Sequence, residues 1–144
     1  MAKRKRVKSS YQPSSTKAVH IAENVDGLRH LNFRWRVDDR YIDYDHKEWG
    51  WEKVTIQKFF KELLNRLQDY ETMTWDEILR HQSCHDMEAS ELCGDAQRRL
   101  QEMRLDIDTL HQLQITQKYR LWGFRHLQTF YLIWHDPNHT VYPV

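Results

Sequence analysis

Glycine, proline and cysteine are scarce in this chain of 144 residues: four, three and two. So few glycines and prolines leave no low-complexity stretch and no glycine-rich loop to cradle a phosphate. Walker, dinucleotide, nucleophile-elbow and kinase signatures are missing too, so no cofactor is expected. Two cysteines, Cys84 and Cys93, cannot build a disulfide framework, which fits a reducing, cytoplasmic setting. No apolar run approaches the roughly 18–20 residues that span a bilayer, and the basic start is not followed by the apolar stretch of a secretory signal. No membrane partner is expected.

Charge and aromatic rings are plentiful. Charged residues make up 30 % and aromatics 12 %, with six tryptophans, which suits a globular body with a substantial core. The net charge of +1 conceals an asymmetry. Lys3, Arg4, Lys5, Arg6, Lys8 and Lys17 precede the first acid, so the remainder holds 16 bases against 21 acids, a net of −5. A mildly acidic body does not suit a protein that coats duplex nucleic acid, whereas a cationic arm can engage phosphates or an acidic partner. Residues 1–17 offer little to bury and are expected to be a disordered basic arm, with 18–144 forming one domain.

Periodicity gives the order of elements. Leu31, Phe33, Trp35 and Val37 alternate with polar residues, the pattern of a half-buried strand that Tyr41, Ile42 and Tyr44 extend or pair with. Ile56, Phe59, Phe60, Leu63, Leu64 and Leu67 then make one helical apolar stripe, predicting a helix that ends near Tyr70. Thr74-Trp75-Asp76-Glu77 has the spacing of a capping box and starts a second helix. A third is predicted over Ala89–Met103, interrupted by Gly94. Leu110–Thr116, Tyr119–Phe124 and Thr129–His135 follow as three strands with short connections. The expected fold is α+β: N-terminal strand or strands, then two to three helices packed on one face of a C-terminal antiparallel sheet.

The densest chemistry lies in that last meander. Arg120 and Arg125 have the planar fork that grips a phosphate, and Trp122 and Phe124 have faces on which a base can stack. His135 and His139 frame an Asp-Pro-Asn turn, and imidazoles exchange protons near neutrality. Arginines over aromatics and turn residues at a turn are equally the ordinary dress of a sheet. His81 and His85 share the four-residue spacing of a zinc pair, but no Cys-x-x-Cys or neighbouring zinc-protease Glu supports a metal. Glu88, Glu91, Asp95 and Glu102 are candidates for a general base, or simply a solvated helix face.

Ile115-Thr116-Gln117-Lys118-Tyr119-Arg120-Leu121, the aromatic hairpin after it and the terminal His139-x-x-Tyr142 resemble the C-terminal sheet of RelE/YoeB-type toxins. Those are small α+β ribonucleases of toxin–antitoxin modules that cleave mRNA on the ribosome. The resemblance implies RNA or the ribosome as target and a small antitoxin-like protein as partner. It also implies that Arg120, His139 and Tyr142 act on the scissile phosphate; His135, by its own chemistry, is a further candidate proton carrier. The segment Leu28–Trp51 has no counterpart in such toxins, and no glutamate here takes the place of the family's base. Two other readings remain open. One is a non-catalytic module binding a protein or nucleic acid through a face of Trp35, Trp49, Trp51, Trp122 and Trp134; the other is a small zinc-stabilised domain.

Overall fold

The computed structural model describes residues 19–20, 28–81 and 84–143. The basic arm, residues 1–17, lies outside them. The fold is α+β. Five strands form one mixed sheet in the order β2 (Arg34–Arg36), β7 (Thr129–Asp136), β6 (Arg120–His126), β5 (Thr109–Gln114), β3 (His85–Glu88). The meander β5–β6–β7 is antiparallel, as its short connections predict, while β2 joins β7 in parallel, Trp35 opposite Phe130. A separate parallel pair joins β1 (Val19–His20) to β4 (Leu105–Asp106). Tyr41, Ile42 and Tyr44 form no strand; Tyr41 sits in a turn and packs edge-on against Phe124 and Tyr131.

The helices cover both faces of the sheet, not one. β6 and β7 are buried on both sides, so each face needs its own cover. On one face α2 (Leu64–Glu71) and α3 (Trp75–Leu79) pack Leu67, Tyr70, Trp75 and Ile78 against Leu113, Leu121, Phe130 and Leu132. On the other, α4 (Gly94–Glu102) packs Ala96 and Leu100 over Leu110, Trp122, Phe124, Ile133 and Trp134. Ile133 and Trp134 are consecutive yet share a core. A bulge makes this possible: Trp122 faces Trp134, but Gly123 already faces Leu132. Gly123 permits the squeeze, since a Cβ there would lie 2.0 Å from the Tyr131 carbonyl oxygen.

The six tryptophans are structural. Every indole N–H donates: to Glu71, Thr140, the Ile133 carbonyl, the Gln128 carbonyl, Asp136 and Asp43 from Trp35, Trp49, Trp51, Trp75, Trp122 and Trp134 in turn. Trp49, Trp75, Trp122 and Trp134 are buried, so of the five tryptophans read as a possible binding face only Trp35 and Trp51 are partly exposed. Large rings bury much apolar area, and a satisfied N–H removes the penalty of burying them.

The capping box forms as its spacing predicts, Thr74 accepting from the Glu77 N–H and Glu77 reaching back to Thr74. Two helical expectations need correction. The third helix starts at Gly94; before it Ala89–Glu91 is a separate 3₁₀ turn, and His85–Glu88 is a strand. The first helix contains a π turn at Phe59–Leu63 between α1 (Ile56–Lys58) and α2. That wider turn rotates the face: Leu63, Leu67 and Tyr70 are buried, while Ile56 and Phe60 stand in solvent. Phe60 and Ile56 are therefore not core residues. Among the described residues no helix is long and apolar enough to cross a membrane.

Candidate functional site

Arg120 opens β6 with Gln114 of β5 directly opposite on one side and Asp136 of β7 on the other. The next row on the same face is His85, Gln112, Trp122 and Trp134. Paired residues and their i+2 neighbours share a face, so one end of the α4-covered face collects His85, Gln112, Gln114, Arg120 and Asp136. The loop that leaves β7 brings His139 to the same end.

Asp136 builds that loop. Its carboxylate accepts from the N–H groups of Thr140 and Val141, at 2.8 and 3.0 Å, and from the Trp122 indole at 3.1 Å. His139 at the loop's apex has φ 56°, a left-handed backbone that a side chain rarely adopts. Its Nε2 is buried without a partner among the described residues, and so is Nε of Arg120. The other end of the Arg120 head is occupied: Nη1 donates to the carbonyls of Thr116, Gln117 and Tyr119 and so clasps the β5–β6 turn. Arg120 is only 6 % exposed.

Burial, and then the charge of Arg120, hold His139 below the ordinary histidine value, against the opposing pull of Asp136. Arg120 is also drawn below its ordinary value by burial. A neutral imidazole thus lies within electrostatic reach of a guanidinium. Unmatched buried donors and acceptors are uncommon; among the described residues the others are His111 Nε2, His135 Nε2 and Gln112 Oε1.

The other predicted site residues go elsewhere. His135 points to the opposite face, where Nδ1 shares a 2.8 Å hydrogen bond with the Tyr119 hydroxyl and the ring sits beside Trp51. Adjacent residues on a strand face opposite ways, so His135 cannot act together with Arg120. Arg125 also lies on that opposite face, bound to Asp86 at 2.6 Å and stacked over Trp75. Trp122 and Phe124 are buried in the second core and have no face for a base. Tyr142 is half-buried and packs on the second core. Asp95 and Glu102 pair with Arg98 and Arg99, whereas Glu88 and Glu91 are solvated. Among the described residues no cluster of three or more ligating side chains is placed to hold a metal. His85 and Gln112 gain their interest from strand register, which the sequence pattern does not reveal.

A second polar group, His111 with Asp86 and Arg125, lies within the first core and makes folding pH-sensitive. His111 is fully buried, with Nδ1 2.8 Å from Asp86 and its ring edge-on to Trp75 and Phe130. Burial lowers its pKa, with Asp86 opposing. For Asp86, burial raises the pKa, but His111 and Arg125 overcome this and hold it well below the carboxylate range. Both folded values are depressed, so the unfolded chain takes up protons first and stability falls as pH falls. The loss begins near the unfolded histidine value of about 6.5 and deepens below the unfolded aspartate value of about 3.9. The urea midpoint should drop between pH 7.5 and 5, less steeply in His111→Gln; a flat wild-type profile would contradict this.

No family model, curated protein or solved structure matches the chain.

Proposed function

We propose that this chain acts on RNA at the end of the sheet that holds Arg120 and His139, as a RelE-like endoribonuclease. The observation that carries the reading is the convergence of a guanidinium and an uncharged imidazole, each with a buried nitrogen lacking a partner among the described residues. The resemblance of the meander to RelE/YoeB-type toxins points the same way, and with it a small antitoxin-like partner.

The pKa direction supports a division of roles. His139, neutral near pH 7, accepts the proton of a ribose 2′-hydroxyl. The 2′-oxygen then bonds to phosphorus as the bond to the 5′-oxygen breaks, and Arg120 stabilises the charge on the phosphorane through its Nε edge. His85, on edge strand β3 beyond β5 and within electrostatic reach of His139, supplies the proton to the leaving 5′-oxygen. The products are a 2′,3′-cyclic phosphate and a 5′-hydroxyl. An RNA with a single 2′-deoxy residue at the cut position should resist cleavage by the purified chain. Equal cleavage of the two RNAs would rule this chemistry out.

A further inference from the structure

The π turn leaves an apolar ridge unused. Ile56 is 78 % and Phe60 58 % exposed, and Leu64 behind them is half-buried. The three stand at i, i+4 and i+8, the ridge that packs into the groove of another helix. Phe60 is fixed by edge-on contact with Phe59, which is wedged against Trp35 and Trp51. The ridge is therefore preorganised at its centre. Large apolar side chains held in water beside a π turn are a recurrent mark of recognition.

Charge favours one kind of occupant. From Glu52 to Asn65 the chain carries Lys53, Lys58 and Lys61 against Glu52 and Glu62, a small basic excess, although the chain after residue 22 has a net charge of −5. Glu62 is engaged by Lys58, which leaves Lys61 exposed next to Phe60. A second copy fits poorly, because a two-fold contact centred on Phe60 would set each Lys61 beside the other. Three side chains also fall far short of the roughly 800 Å² per partner in a standard stable interface. One docked helix is the right size.

We infer that the Ile56–Phe60–Leu64 ridge docks an amphipathic helix of a partner protein whose apolar stripe is flanked by acidic residues. The inference is independent of the RNA reading, since the ridge lies on the first helix and not at the Arg120 end of the α4-covered face.

The test uses the full chain and two labelled peptides of roughly 20 residues, long enough to hold a helix. Both carry leucines at helical spacing, one flanked by glutamates and the other by lysines. Fluorescence anisotropy should show binding of the glutamate peptide only, weakened at least tenfold by Phe60→Ala or Ile56→Ala and by high salt. Lys61→Glu should weaken it too. Each variant should keep the wild-type melting temperature, because the altered side chains are exposed. Absence of binding, equal binding of the lysine peptide, or binding indifferent to Phe60→Ala would overturn the inference. A concentration-dependent dimer abolished by Phe60→Ala would overturn it as well, by identifying a second copy as the occupant.

Discussion

Asp43→Ala is expected to lower the unfolding free energy by about 3 kcal/mol, toward the low end of the range for breaking a buried ion pair. Asp43 is 1 % exposed and accepts from Nε and Nη2 of Arg99, both at 2.7 Å, from the Trp134 indole at 2.8 Å and from the His46 N–H at 3.2 Å. One carboxylate thereby fastens the loop before Trp51 to α4 and to β7. Its removal leaves the buried Trp134 N–H without an acceptor and Arg99 without its tightest partner. Arg99 keeps Asp45 and Glu102 and is partly in water, which is why the upper end of the range is not expected. Asp43→Asn keeps an acceptor for Trp134 and should cost less. Urea unfolding monitored by tryptophan fluorescence measures both. A loss under about 1 kcal/mol for Asp43→Ala would mean that the loop is held by packing alone.

Asp43 shows what a linear pattern conceals. Nothing around Tyr41-Ile42-Asp43-Tyr44 marks it as buried, since Arg99 lies 56 positions away. Strands β5 to β7 were legible because short runs rich in apolar, β-branched and aromatic residues, six to eight positions long, are joined by connections short enough for hairpins. The start of α3 was legible because a capping box is a local motif. β3 was not, for it is four residues long and buries only Met87 fully. The π turn was hidden for another reason. Ile56, Phe60 and Leu64 match α-helical spacing with Phe59, Leu63 and Leu67, and only the wider turn separates a buried set from an exposed one.

The candidate site was legible in part. Arg120 and His139 stood out by side-chain chemistry, and the fold brings them to one end of one face. Strand alternation removes His135 and Arg125 to the other face, and two-sided burial absorbs Trp122 and Phe124. The companions His85 and Gln112 depend on the register of an edge strand.

Cleavage of a defined transcript by the purified chain, its Arg120→Ala and its His139→Ala variants is the most direct measurement. Loss of the phosphate-stabilising donor should slow cleavage roughly 10²–10³-fold, and loss of the proton acceptor roughly 10²–10⁴-fold. Arg120→Lys should recover little, because an ammonium that takes the place of Nη1 on the turn carbonyls has no second nitrogen in the position of Nε to offer the phosphate. Arg120→Ala also frees the β5–β6 turn, so its rate is compared below its own melting temperature. His139→Ala removes no hydrogen bond formed by the imidazole with the described residues, and should keep the wild-type fold. The account predicts that the wild type cuts and that both alanine variants, still folded, are slowed by at least a hundredfold. A wild type that leaves the transcript intact, or variants that cut it at the wild-type rate, would contradict it.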